Sequence, residues 1–182
     1  MKPISVAVAV LVVVSLCSFQ AQGDNELITK ACSRTAYNDL CKAILQAAPN
    51  SNDADLYGLT QFALSIAAQN VSNIYQTIDK LQNDSSVDSF MDECLTDCLE
   101  NYQDATDQIE DSVTALEFKA FNDVRTWVAA AMSDVATCDL GFKDKPGYQS
   151  PVHQMSAVFD QICSIVLTFN HCLIEGNVHL TS

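Results

Sequence analysis

The sequence predicts an all-α fold, an antiparallel four-helix bundle preceded by a short N-terminal helical hairpin. Three observations carry that expectation. Four long segments repeat apolar residues at three- and four-residue steps, the spacing of one helix face. The 182-residue chain holds five Gly and four Pro against many Ala, Leu, Asp and Gln, a composition that favours helix. Period-two alternation and Asn-Gly or Asp-Gly turns are absent from the sequence.

The first 23 residues stand apart from the fold. Lys2 supplies a positive start, Ile4 to Leu16 form an apolar run of 13 residues, and Ala21-Gln22-Gly23 is a small-x-small cleavage site. That is the layout of a secretory signal peptide, and its apolar run falls short of the roughly 20 residues that cross a bilayer. The mature chain is expected to start near Asp24 and to form one domain, 24–182, of 182 − 23 = 159 residues. No later apolar run reads as a membrane span.

Within that domain the hairpin falls at 24–50, in two short apolar-polar segments carrying Cys32 and Cys41. The bundle falls at 52–176. Its first helix shows Leu56, Leu59, Ala63, Ile66, Ile74, Ile78 and Leu81 on one face, with Asn52 or Asp53 as N-cap. The second runs from about Val87 to Leu116, with a stripe of Leu95, Cys98, Tyr102, Ala105, Ile109, Val113 and Leu116. The third gathers Phe121, Val124, Trp127, Val128, Ala131, Val135 and Cys138, and Gly141 stops it. The fourth starts at Ser150-Pro151, a cap and first-turn proline pair. It continues through Met155, Val158, Phe159, Ile162, Ile165, Val166, Phe169 and Leu173. Helices of this length with short connections pack most simply up-down-up-down.

Charge excludes one class of partner. Without Lys2 the chain has 8 basic and 23 acidic residues, a net of −15. A phosphate backbone needs a basic surface, so no nucleic acid is expected, whereas a basic protein would be steered toward this one. Catalytic constellations are also missing. His153, His171 and His179 form no His-x-x-x-His pair, and His171 projects opposite the apolar stripe of its helix. There is no Gly-x-Ser-x-Gly elbow, phosphate-cradling loop or dinucleotide fingerprint. Cys94-x-x-x-Cys98 lacks the two further ligands that a thiolate zinc site needs, and a secreted chain uses such cysteines in disulfides. No catalytic residue, metal or cofactor is therefore expected.

Three patterns remain. Seven cysteines follow the signal segment, an odd number. Spacing does not fix their connectivity, although Cys32 with Cys41 would staple a hairpin too small to hold itself. Between Asp84 and Glu117 lie eleven acids and no Lys or Arg; Glu93, Asp97, Glu100, Asp104, Asp107 and Asp111 step by 4, 3, 4, 3 and 4 into one stripe opposite the apolar face. Like charges at that spacing destabilise a helix by a few tenths of a kcal/mol each. The stripe reads either as a solvated face or as a docking surface for a basic protein. Two glycosylation sequons occur, Asn70-Val71-Ser72 and Asn83-Asp84-Ser85. Asn70 lies between Ile66 and Ile74 on the inward face, so Asn83, at the outer end of that helix, is the better acceptor.

Cys32 and Cys41 flanking Tyr37, the stretch from Asp97 to Ala105, and Trp127-Val128-Ala129-Ala130-Ala131-Met132 leading to Thr137-Cys138 resemble the plant invertase and pectin methylesterase inhibitors across the mature chain. Gly141 to Gly147, then Ser150-Pro151-Val152, is most similar to the invertase-inhibitor branch that includes plane-tree pollen allergens. The resemblance implies disulfides Cys32–Cys41 and Cys98–Cys138. It also implies a secreted inhibitor that covers its target's substrate cleft in a one-to-one complex. Invertase inhibitors of this kind push the loop before the last helix toward the sucrose pocket, often with Pro-Lys-Phe; that tripeptide is absent here. Pectin methylesterase inhibitors use polar side chains of the bundle helices.

The expected function is thus inhibition of an acid invertase, with pectin methylesterase as the alternative target and a non-inhibitory extracellular binding module as the second alternative. A lipid-transfer protein is excluded, since no Cys-Cys pair or Cys-x-Cys occurs. Candidate contacts are Lys143, Asp144, Lys145 and Pro146 of the loop and Asp97, Asp104 and Asp111 of the stripe. The expected setting is a monomer in the apoplast or cell wall, with the vacuole as the alternative and no membrane partner. Cys94, Cys163 and Cys172 are left over. In an up-down-up-down bundle the second and fourth helices are diagonal. Cys163 lies about 7 Å and Cys172 about 20 Å along the axis from Cys94. Three free thiols are expected, with a Cys94–Cys163 bridge as the alternative.

Overall fold

The computed structural model of the chain describes residues 26–48 and 54–180, with side chains to residue 176. The signal segment, the ends of the hairpin, Asn52, Asp53 and the His179 side chain lie outside it. Six α-helices follow in order: α1 Glu26–Cys32, α2 Asn38–Gln46, α3 Leu56–Gln82, α4 Ser89–Glu117, α5 Phe121–Gly141 and α6 His153–Leu180. A 3-10 turn, Phe142–Asp144, follows α5 directly, and no strand occurs among the described residues.

The starts of α3 and α4 are set by carboxylates. Asp55 caps α3 by accepting the Gly58 N–H at 2.8 Å. The cap therefore lies beyond Asn52 and Asp53, the two expected. Asp88 caps α4 through the N–H groups of Phe90 and Met91, both at 3.0 Å. Each supplies an acceptor to backbone donors that have no partner within the helix. The α4 C-terminus closes in a Schellman motif: Ala120 N–H donates to the Ala115 carbonyl at 2.8 Å and Lys119 N–H to that of Leu116 at 2.9 Å. Lys119 holds the left-handed position at φ 56°, where glycine is usual.

α5 ends at Gly141, the expected stop, although its φ of −53° is helical and the chain tightens into the 3-10 turn. One further expectation about helix ends differs. The last helix begins at His153 rather than at Pro151. Ser150 Oγ instead accepts the Val152 N–H at 3.3 Å within a turn ahead of the helix.

α3 packs on α4 and α6, and α5 packs on α4 and α6, so α3/α5 and α4/α6 stand diagonal. The core runs through all four, with Ile74 and Ile78 of α3, Leu95 and Ile109 of α4, Val124 and Val128 of α5, and Phe159 and Val166 of α6. Tyr102, fully buried on α4, reaches across the diagonal and shares a 2.8 Å hydrogen bond with Ser156 Oγ of α6. Buried Thr60 and Ser112 donate to their own helix's carbonyls, Leu56 and Gln108. The stretch His153–Gly176 is long and apolar enough to cross a membrane, which a search for continuous apolar runs does not register. Its residues Phe159, Ile162, Cys163, Ile165, Val166 and Phe169 are spent on the bundle core and the hairpin instead. Two residues of the expected stripes face outward, Trp127 and Val158, each 38% exposed.

The hairpin docks as a cap on α3 and α6. Ile28, Ala31 and Leu45 pack with Leu59, Ile165 and Phe169 around the Cys32–Cys41 disulfide. Arg34 adds an exposed 3.0 Å pair to Glu175 near the end of α6, worth at most about 1 kcal/mol. The second disulfide, Cys98–Cys138, ties α4 to α5 with Cα atoms 4.7 Å apart. Both bridges are those that the resemblance implies.

Two stability outcomes follow from this architecture. Lys119→Gly relieves the left-handed strain and should raise stability by about 1 kcal/mol, a melting shift of roughly 2–4 °C. Serine replacement of the 40-residue bridge, Cys98–Cys138, should cost roughly 4 kcal/mol, against about 2–3 kcal/mol for the 9-residue one. Thermal melts check both, and an equal or reversed ranking of the bridges would contradict the second.

Candidate functional site

The structure places the six acids of the stripe, Glu93, Asp97, Glu100, Asp104, Asp107 and Asp111, on the solvent face of α4, every one exposed. The helix period dictates this: while Leu95, Cys98, Tyr102, Ala105 and Ile109 turn inward, residues offset by about half a turn must face water. No basic residue occupies the last turn of α4. The helix thus presents a continuous anionic ridge.

Along part of its length the ridge borders a groove of about 400 Å³ between α4 and α5. Asp97, Glu100 and Asp104 line it from α4, Thr137 and Leu140 from α5, and Asp144 from the 3-10 turn. Cys94 and Cys138 lie at its base, both buried. Leu140 is 55% exposed, an apolar rim beside four carboxylates. Sequence reasoning names Asp97, Asp104 and Asp144 as candidates; the fold gathers these three, adds Glu100, and leaves Asp111 farther along the ridge. The groove itself has no sequence signal, because it exists only where two helices meet.

The loop before α6 is fastened down. Lys145 Nζ lies 4.5 Å from the Tyr148 ring centroid and 4.9 Å from that of Phe90, and donates to the Tyr148 hydroxyl at 3.3 Å. The Phe90 and Tyr148 rings meet edge to face, centroids 4.7 Å apart. Tyr148 in turn donates to Asp88, the α4 cap. That hydrogen bond, foremost, and those from the α4 backbone hold the Asp88 carboxyl below the usual carboxylate range. Lys143 and Pro146 are exposed and stand outside the groove. Of the four loop candidates, only Asp144 lines the groove.

At the α5–α6 junction, His153 Nδ1 lies 2.7 Å from Asp139 Oδ2, and Ser156 Oγ lies 3.4 Å from Asp139 Oδ1. Ser156 links this pair to Tyr102, whose phenol burial pushes well above its ordinary range. Here the carboxylate stands between Ser156 and His153, which is not the order of a nucleophilic triad, where the histidine lies between. His171 is exposed and pairs with Glu175 at 3.2 Å, a surface i,i+4 contact.

Cys94, Cys163 and Cys172 are free. Burial raises all three thiols above their ordinary range. Around Cys94 the carboxylates of Asp97, Glu93, Asp144 and Asp88 add to the effect. Cys163 sits fully inside the core, and Cys172 is half-buried. Of the sequon residues, Asn83 is exposed at the C-cap of α3, where its amide donates to the Asp79 carbonyl at 2.7 Å. Asn70 is half-buried mid-helix, its Oδ1 enclosed without a partner.

Comparison with other proteins adds a consistent result. A family model described as plant invertase/pectin methylesterase inhibitor matches residues 26–169. The chain is 30% identical over 173 residues to a Platanus acerifolia protein named "Putative invertase inhibitor", covering 87% of this chain and 96% of that one. It is 29% identical over 152 residues to an Actinidia deliciosa "Pectinesterase inhibitor", covering 84% of this chain and 82% of the other. In fold it resembles the crystal structure of mutant form A of a pectin methylesterase inhibitor from Arabidopsis, with TM-score 0.67 and 19% identity over 79% of this chain and 95% of that one.

The thiol environments set an order of reactivity. Alkylation of the native protein should label Cys172 first, Cys94 slowly and Cys163 only on unfolding, each step faster as pH rises toward the raised thiol pKa. Mass spectrometry of the unreduced, denatured chain should then count three added groups, and one would show a third bridge.

Proposed function

The chain belongs to the plant invertase/pectin methylesterase inhibitor family, and from that premise we propose that it is a secreted inhibitor that blocks a plant carbohydrate-active enzyme by covering its substrate cleft in a one-to-one complex. It is not an enzyme; the matching family and the Platanus and Actinidia relatives above are named as inhibitors. The observation that carries the proposal is the uninterrupted anionic ridge of α4 with its adjoining groove. Exposed like charges repel one another and cost the helix stability, so the ridge is explained best by what it attracts: a target with a basic rim around its cleft.

Two targets fit the family. The tied-down loop favours pectin methylesterase. Lys145 is exposed but held over the Phe90 and Tyr148 rings, so the helix face is the less constrained docking element. Similarity to the Platanus protein over nearly its whole length supports acid invertase. The inhibitor acts as a monomer in the apoplast or cell wall, or in the vacuole. Two disulfides and the signal-like first 23 residues suit an oxidising compartment. Exposed Asn83 is its glycan acceptor, so Asn83→Gln, but not Asn70→Gln, should remove any N-linked mass from protein made in a plant host.

Titration of the purified protein at acidic pH against one plant invertase and one plant pectin methylesterase decides the target. The triple variant Asp97→Asn, Asp104→Asn, Asp111→Asn should inhibit more weakly, through an association rate that falls about tenfold or more and loses its salt dependence. Full inhibition of either enzyme by the triple variant would return the ridge to a solvated face; inhibition of neither enzyme by the unmodified protein would overturn the proposal.

A further inference from the structure

A cavity of about 300 Å³ lies where the hairpin meets α5 and α6. Val135, Ser156 and Phe159, all buried, form its floor, and exposed Ala136, His153 and Asp160 stand at its mouth. α5 turns a different flank to each recess: Ala136 and Asp139 line this cavity, whereas Thr137 and Leu140 line the groove beside α4. From the hairpin comes Tyr37, whose position is fixed by its backbone. Its N–H donates to Thr35 Oγ1 at 3.2 Å, and its carbonyl accepts the N–H of disulfide-bonded Cys41 at 2.9 Å.

The charge of this cavity is one-sided. Asp139 enters from α5 and Asp160 from α6, and no Lys or Arg lines it. The Asp139 side chain is only 14% exposed, so its carboxylate has lost most of its water and is stabilised by what donates to it. His153 Nδ1 donates to Oδ2 at 2.7 Å. Oδ1 has only Ser156 Oγ at 3.4 Å, beyond the 2.5–3.0 Å or so usual for a hydroxyl donor. A hydroxyl has a single proton, and Ser156 has nearer partners in the Val152 carbonyl at 3.0 Å and the Tyr102 phenol at 2.8 Å. Asp139 Oδ1 is thus left able to take a strong donor.

We propose that this cavity binds the guanidinium head of an arginine side chain carried by a partner protein. A guanidinium meets each feature of the lining. Its planar fork of N–H donors suits Asp139 Oδ1 and Asp160 together. Its delocalised, weakly hydrated charge stacks on an aromatic ring such as Tyr37, which a compact ammonium does less well. Its apolar stem lies along Met132 and Ala136. The mouth is framed by exposed residues of two rigid helices, so a side chain on another protein's surface enters without displacing either. Once seated, it bridges the hairpin to α5 and α6. None of the residues lining the α4–α5 groove takes part.

The experiment is an NMR titration of the isotope-labelled protein, both disulfides intact, with three probes: propylguanidinium, its neutral near-isostere propylurea, and a capped Ala-Arg-Ala tripeptide. The backbone amides of Tyr37, Asp139 and Gln161 should shift with propylguanidinium and with the tripeptide, and not with propylurea. The tripeptide should bind at least as tightly as the free cation. Asp139→Asn should weaken both cations about tenfold or more, and Tyr37→Leu several-fold. His153→Lys, which sets a permanent ammonium beside Asp139, should weaken them too. Unchanged amide spectra away from the cavity confirm that each variant stays folded. An equal response to propylurea overturns the proposal, because charge then plays no part. So do shifts centred on Asp97, Glu100 and Asp104, since the acidic surface alone then draws the cation. Binding of propylguanidinium without the tripeptide overturns the protein-borne occupant. No outcome depends on which enzyme is inhibited.

Discussion

The pairing of α4 with α5 is the constraint on which the rest of the molecule depends. α4 is pulled two ways along its length. Its inner face buries Leu95, Cys98, Tyr102, Ala105 and Ile109, while its outer face carries six acids at three- and four-residue steps. Five successive like-charge steps at a few tenths of a kcal/mol each come to roughly 1–2.5 kcal/mol of repulsion. Against that stands the Cys98–Cys138 bridge, worth roughly 4 kcal/mol, and placed in the half of the helix where the groove opens. The Asp88 cap and the Schellman closure at Lys119 hold the two ends. The magnitudes say that an isolated α4 would be a poor helix and that in the bundle it is a secure one.

The diagonal contact depends on that pairing. Tyr102 can reach Ser156 only because α4 and α6 face one another across a core whose other two walls, α3 and α5, hold them at a fixed distance. A buried phenol without a partner would cost about 1–3 kcal/mol, so this one hydrogen bond also selects the register of α6 against α4. Ser156 passes the constraint to Asp139 and His153 at the α5–α6 junction, and from there to the turn that precedes α6. The hairpin adds a second, smaller core over Leu59, Ile165 and Phe169, and its Tyr37 lines a cavity shared with Asp139, His153 and Ser156.

Much of this was legible in the sequence. The three- and four-residue steps located every long helix, most plainly in α4, which keeps its apolar residues on one side and its acids on the other. Positions at the edge of a stripe were less secure. Trp127 and Val158 fit the period but fall on the flank, where a single helical turn decides between core and solvent. Ser156 and Ser112 were invisible for the opposite reason: a small hydroxyl satisfied by its own helix is buried at no penalty, yet reads as polar. The start of α6 moved from Pro151 to His153 because the Ser150 side chain closes a turn there. The groove could not be read at all, because its walls are residues 33 or more apart in the chain that only tertiary packing brings together.

The same packing separates two ways of engaging a target. A loop that enters an active site must leave its own protein, and the segment from Lys143 to Tyr148 has given up that freedom. Phe142, just before it, is fully inside the core, Lys145 lies over two aromatic rings, and Tyr148 is bonded to the residue that caps α4. Freeing Lys145 would forfeit two cation–π contacts, a cost of the order of 1–2 kcal/mol before any contact with a partner is made. The acids of α4 need no such rearrangement; they are exposed, fixed on a rigid helix and set beside an apolar rim at Leu140. A preformed surface of that kind loses little entropy on binding, whereas a loop that must first detach loses both contacts and entropy. On that balance the helix face is the more preorganised of the two surfaces.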